Sequence, residues 1–402
     1  MREGIRARSP ASVARLTLIL GLVMAIGPLA VDMYLPALPS LQAQFATTPA
    51  RVQHTLSAYL LGLACGQLFF GPLADRFGRK PPLLGGLLVF ALASAACVVT
   101  SDIGQFVALR FAQALGGASG MVVIRAVIRD RFDEIQSARV LSLMMLVMGA
   151  APILAPLAGG WLLVNGSWHW IFGFLVVFSL GCAALVWRFL EESHPVHRRS
   201  RSIGQALAAT LPLFGDRRFL GPVIVFIAAF GCFFAYLAAA PFVYIQYFGV
   251  PADSFGWYFG AGACGYISVS QLNRRIVMRL GTRRTLGLGV WLLAGSAGVL
   301  LVLSLTEAAG FWGVFIPMLF IIGSIGLIAS NATVIAMSPF GERAGGASSL
   351  LGATQSTFGV LSSAAVGWIA GRGAVPMAGI IAACAAIALA SYLFLIRGRS
   401  PN

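Results

Sequence analysis

The sequence predicts an all-α integral membrane protein of twelve transmembrane helices arranged as two six-helix pseudo-repeats. Three observations carry that prediction. Of the 402 residues, 58% are hydrophobic and 10% charged, against about 25% charged in an ordinary soluble domain. No soluble fold of this size buries so much apolar surface, and at roughly 20 residues per span the chain holds about twelve helices. The cations, second, gather in alternate loops. Third, FGRK (Phe77–Lys80) after span two has an echo in LGTRR (Leu280–Arg284) after span eight, with Gly78 and Gly281 half a chain apart.

Apolar segments fall at 14–36, 52–71, 82–100, 104–126, 138–164, 168–190, 219–241, 254–272, 284–304, 309–329, 345–370 and 375–396. The first follows Arg2, Arg6, Arg8 and Arg15 in the manner of a secretory signal, but no small-x-small cleavage site follows the apolar run, so an uncleaved span is expected. Spans five and six are parted by a tight turn near Asn165–Trp168. The longest polar connection, Glu191–Arg218, reads as a cytoplasmic linker (191–218) between an N-terminal half (1–190) and a C-terminal half (219–402). His194 and His197 in that linker have no third ligand nearby, so no metal site is expected. Cys65, Cys97, Cys182, Cys232, Cys264 and Cys384 all lie in apolar segments without a CxxC pair, and read as packing residues.

With a cytoplasmic N-terminus, 25 of the 28 Lys and Arg residues fall on the cytoplasmic side. Only Arg51 and Arg372 face outside, and Arg110 lies in a helix. That asymmetry places both termini in the cytoplasm. It also accounts for the net charge of +15, so no nucleic-acid partner is expected.

Asp32 lies in GPLAVDMYLPALP (Gly27–Pro39) and is the one acid expected inside the bilayer. An intramembrane carboxylate is costly unless it is paired or protonated, and so marks a functional site. Arg110, in RFAQALGGASG (Arg110–Gly120), is its counterpart in span four. Counting from the outer ends of spans one and four, each charge sits roughly 10 Å deep at 1.5 Å per residue. The two are expected to couple, directly or through the site. Burial opposes ionisation of an acid and a nearby cation favours it, so a change in that balance would load or release a proton.

Between spans two and three, GPLADRFGRK supplies Gly71, Asp75, Arg76, Gly78, Arg79 and Lys80. It matches G-x-L-a-D-r-x-G-r-k, the loop 2–3 motif of the major facilitator superfamily. By that resemblance it is a cytoplasmic gate: Asp75 would meet the positive N-terminus of span eleven, and Arg79 would pair with Asp130 at the foot of span four. The second copy has Asn273 where an acid is expected, so the gate is one-sided. Arg110 and Gln113 match part of the superfamily's span-four motif R-x-x-q-G, with Ala114 at the glycine position. In span five, GAAPILAPLAGGW (Gly149–Trp161) resembles the antiporter motif g-x-x-x-G-P-x-x-G-G at Pro156, Gly159 and Gly160, with Ala155 for the glycine; Pro152 and Pro156 are expected to bend the helix. Tyr34, Gln113, Tyr236, Tyr244, Asn331 and Gln355 are candidates for the substrate cavity, with Gln246, Tyr258 and Tyr266 beside them.

Taken with VDMYLPALP (Val31–Pro39), SWHWIF (Ser167–Phe172), APFVYI (Ala240–Ile245) and GGASSLLG (Gly345–Gly352), these motifs make the chain resemble the Bcr/CflA group of drug:proton antiporters. The resemblance spans essentially the whole chain and implies the major facilitator fold. It implies an exporter in a bacterial inner membrane that works by alternating access, with Asp32 as proton carrier. The implied partners are an amphipathic small molecule, protons and the bilayer; the driving force is the proton gradient with no cofactor, and a monomer is expected. A proton-coupled importer of the same fold is the alternative. An enzyme is not expected, because no span holds a His/Asp/Glu or Ser/His constellation.

Overall fold

A computed structural model describes residues 10–132, 134–193, 217–338, 344–368 and 373–397. Most of the expected linker, with His194 and His197, lies outside those residues. Twelve long helices follow one another: α1 (Pro10–Asp32), α2 (Pro49–Phe77), α3 (Lys80–Val99), α4 (Ile103–Arg131), α5 (Glu134–Asn165), α6 (Trp168–Phe189), α7 (Arg217–Pro241), α8 (Ala252–Leu280), α9 (Thr282–Thr306), α10 (Gly310–Met337), α11 (Ala344–Trp368) and α12 (Val375–Ser391). After Asp32 the chain turns through Leu35–Ala37 into a short helix, Leu38–Gln44. Among the described residues nine helices are long and apolar enough to cross a membrane.

Local chemistry sets the ends. Thr48 caps α2 by accepting from the Arg51 amide (3.4 Å), with Pro49 at the first helical position, where its missing N–H costs nothing. Asp102 caps α4 through the Gln105 amide (2.7 Å). Gly78 (φ 93°, ψ 175°) and Gly281 (φ 76°, ψ 161°) end α2 and α8 in the same glycine-favouring conformation. The helices overrun the apolar segments at the Gly78 end: α2, α4, α8 and α10 reach 77, 131, 280 and 337. Hydropathy measures the bilayer, whereas helical hydrogen bonding continues into the polar flank.

The packing repeats. In the first half α1 packs on α4, α5 and α6, α2 on α4, and α3 on α4 and α6. Adding six to each number gives the main pairs of the second half: α7 on α10, α11 and α12, α8 on α10, and α9 on α10 and α12. Across the halves α2 meets α11 and α5 meets α8. Further contacts join the two halves near the end where α1 stops. Gln53 donates to the Ala238 carbonyl (3.3 Å), Ser57 and Ser363 hydroxyls are 2.8 Å apart, and Gln246 donates to Gln42 (2.9 Å). A Cβ on Gly256 would sit 2.6 Å from the Leu157 amide nitrogen, so only glycine permits that approach.

Candidate functional site

Asp32 is the last residue of α1 and is only 6% exposed. Among the described residues no ion pair joins it to Arg110.

Arg110 is fully buried and held another way. Its guanidinium carbon lies 4.3 Å from the Tyr34 ring centroid, 4.4 Å from Tyr59 and 5.6 Å from Phe172. A desolvated cation–π contact is worth about 2 kcal/mol or more. Nη2 donates to the Ala30 carbonyl (3.1 Å), and Nη1 donates to Gln113 Oε1. Gln113 in turn donates to Ser94 Oγ (2.7 Å), which donates to the Phe90 carbonyl (2.7 Å). Tyr34 is fixed by its hydroxyl, 2.5 Å from Thr55 Oγ1. The helices come close enough because α2 presents glycine: a Cβ on Gly66 would lie 2.8 Å from the Leu115 carbonyl oxygen and 2.5 Å from Ala118 Cβ. Gly62 does the same opposite Phe111 and Ala114, which is how the packing tolerates Ala114.

The span-five run seats the end of α1. Gly159 lies where a Cβ would meet the carbonyl group of Met33, the residue after Asp32, and Gly160 where a Cβ would be 2.5 Å from the Ala252 carbonyl oxygen. Consecutive glycines thus let α5 approach α1 on one side and α8 on the other. Pro152 and Pro156 lie inside α5.

At the far end, Arg79 is buried between two carboxylates, with Nη1 2.6 Å from Asp75 Oδ1 and Nε 2.9 Å from Asp130 Oδ2. Burial works against that cation, but the bonds from Asp130 and Asp75 outweigh it and raise its pKa above the usual arginine value. Glu192, just beyond α6, caps α3 by accepting from the amides of Arg79 (2.8 Å) and Lys80 (3.1 Å). Lys80 Nζ donates to the Trp187 carbonyl (2.7 Å), and Arg131 Nη1 to Glu191 (3.1 Å). Arg76 stays exposed over Phe77, and Gly71 faces Val122 of α4. Residues 339–343, ahead of α11, lie outside the described residues, and with them the expected partner region of Asp75.

The cavity candidates are mostly packed in this conformation. Tyr34, Gln113, Tyr236, Tyr244 and Asn331 are buried, and Gln355 is half-buried. Gln113 accepts from Arg110. Asn331 ties α10 to α8 by donating to Asn273 (2.7 Å). Tyr236 and Tyr244 belong to an aromatic cluster with Phe255, Phe259 and Phe311. Sequence reasoning missed Tyr59 and Glu192. Tyr59 sits one helical turn after Thr55, on the face that meets Arg110, but an aromatic in an apolar helix carries no signal of its own.

Twelve helices in two matched sets, with a buried acid at the end of α1 and an α4 arginine caged by Tyr34, Tyr59 and Phe172, fit the pattern of a polytopic transporter. Residues 20–267 match the Major Facilitator Superfamily model, and the chain belongs to that superfamily. It is 35% identical over 379 residues to a bicyclomycin resistance protein homolog of Haemophilus influenzae, covering 94% of this chain and 95% of that one. A chloramphenicol resistance protein of Pseudomonas aeruginosa is 30% identical over 83% of this chain and 78% of its own. Among solved structures a D-xylose-proton symporter superposes with a TM-score of 0.75 at 15% identity, covering 96% of this chain and 97% of that one; this likeness concerns the fold alone.

Proposed function

We propose that this protein exports amphipathic small molecules, of the bicyclomycin or chloramphenicol kind, in exchange for protons. The observation that supports it most is Asp32, a carboxyl buried at the end of α1 and, among the described residues, in no ion pair. A carboxyl so placed can bind and lose a proton as its surroundings change. Asp32 takes a proton from the outside, which favours substrate release and return to the inward-facing state; there the proton leaves and substrate binds. The halves 1–190 and 219–402 rock about the site, with 191–218 as their linker and the Asp75–Arg79–Asp130 cluster latching the cytoplasmic side through α11. The protein sits as a monomer in a bacterial inner membrane with both termini in the cytoplasm, and the proton gradient is its only energy source. The relatives named for drug resistance support export over import.

Expression in a drug-sensitised bacterial strain, scored for resistance to bicyclomycin and chloramphenicol, tests the substrate class. Proteoliposomes with an imposed proton gradient test direction: substrate moving against the proton flow supports exchange, and substrate moving with it would establish the importer.

A further inference from the structure

Two arginines converge at the end of the bundle where α1 begins. The guanidinium carbon of Arg15, on α1, lies 4.7 Å from the Phe189 ring centroid, and that of Arg188, on α6, lies 5.2 Å from the same centroid. The shared ring keeps the two cations within about 10 Å of each other, roughly a Debye length, so they repel. Both side chains are exposed, and among the described residues neither is in an ion pair. The acids that follow α6 are engaged elsewhere: Glu191 accepts from Arg131, and Glu192 from the amides of Arg79 and Lys80. Lys80 Nζ, donating to the Trp187 carbonyl (2.7 Å), brings a third cation to the same turn of α6. Arg15 is the second residue of the apolar span Ala14–Gln44, and Arg188 the last but one of Trp168–Phe189. Both therefore stand where hydrocarbon gives way to headgroups. On the same two helices Leu18 is 63% and Trp187 68% exposed, an apolar surface next to the charges.

We propose that Arg15 and Arg188 form a binding site for the headgroup of an anionic phospholipid. A guanidinium presents a planar fork of donors that matches phosphate oxygens two at a time. Two such forks, steadied on one aromatic face, grip a phosphodiester between α1 and α6, and its charge relieves their mutual repulsion. Basic pockets between membrane helices at headgroup level are suited to lipids of this kind, and tryptophan favours the same depth. The acyl chains run along the exposed Leu18 and Trp187 surface, which a soluble phosphate has no means of using. A zwitterionic lipid carries its own ammonium group and leaves the excess positive charge in place, so the site selects for a net negative headgroup.

The test is made on the full-length protein in a non-ionic detergent. Native mass spectrometry, which resolves each bound lipid, follows titrations with phosphatidylglycerol and with phosphatidylcholine of the same chains. The wild type should bind its first phosphatidylglycerol more tightly than phosphatidylcholine. Arg15→Gln with Arg188→Gln should weaken that first phosphatidylglycerol by about tenfold or more and leave phosphatidylcholine unchanged. Arg274→Gln with Arg275→Gln removes the same number of charges from exposed arginines of α8 and should bind as the wild type does. Phe189→Leu keeps both cations and removes the ring that steadies them, so its affinity should fall severalfold with no change in net charge. If the Arg15/Arg188 double variant is not recovered folded, Arg188→Gln alone gives the same reading at a smaller fold-change. Undiminished phosphatidylglycerol binding in the Arg15/Arg188 variants overturns the proposal, as does an equal loss in the Arg274/Arg275 control or full affinity in Phe189→Leu. Sodium phosphate added as competitor should leave the lipid bound; its displacing the lipid would assign the site to a free anion and overturn the proposal too. No transport enters this readout, so its outcome is separate from that of the export reading.

Discussion

Replacing Gly159 by alanine adds one methyl group at the point where α5 meets the end of α1. That Cβ would stand 2.7 Å from the Met33 carbonyl carbon and 2.8 Å from its Cα, where ordinary contacts begin near 3.4 Å. The obstacle is backbone, so no rotamer relieves it, and α1 and α5 must separate by roughly 1 Å. Overpacking of this kind costs about 1–3 kcal/mol. The shift falls on the residue after Asp32, so the acid moves with it. Gly173→Ala in α6 is the control, since a Cβ there meets nothing within 4 Å and alanine raises helix propensity by about 1 kcal/mol. Thermal unfolding in detergent and drug export in vesicles are the assays. Gly159→Ala should melt lower and export less, with Gly173→Ala at or above wild type. Equal stability and export for Gly159→Ala would refute the close approach of α5 to Met33.

Three other substitutions probe the rest of the site. Arg79→Ala leaves Asp75 and Asp130 facing each other without their cation; because Asp75 is half-exposed, the cost should be about 1–3 kcal/mol, below that of a fully buried pair, and chemical unfolding measures it. Glu192→Gln keeps acceptor capacity but loses the charge at the α3 N-terminus, so a smaller loss of about 0.5–1 kcal/mol is expected, shrinking with added salt. Gln113→Ala removes the link between Arg110 and Ser94, and should destabilise by about 1–3 kcal/mol through the hydrogen-bonding group left buried, with a larger effect in unfolding assays than Ser94→Ala.

Much of this architecture was legible in the sequence because bilayer thickness and the cost of moving cations across it act on every residue. Segment lengths, the Gly78/Gly281 echo and the positions of Asp32 and Arg110 all follow from one-dimensional signals. The depth of two charges can be counted along a helix, but the direction each side chain takes cannot, so the aromatic cage around Arg110 was hidden. Tyr34 and Gln113 read from the sequence as cavity candidates, and nothing in the sequence says that both also contact Arg110; only the packing of the helices brings them to it. Glu192 was invisible for a different reason. Its targets, the amides of Arg79 and Lys80, are more than a hundred residues away in the chain, and a carboxylate in a polar loop looks like any other.

The central claim is that Asp32 is the proton carrier, and Asp32→Asn tests it most directly. Asparagine keeps the size and hydrogen-bonding capacity of the protonated acid and removes the titration. With the purified variant in proteoliposomes under an imposed pH gradient, internal pH and labelled chloramphenicol are followed together. The account predicts a folded protein whose coupled exchange falls to the level of empty vesicles. Normal drug-for-proton exchange by that variant would contradict it.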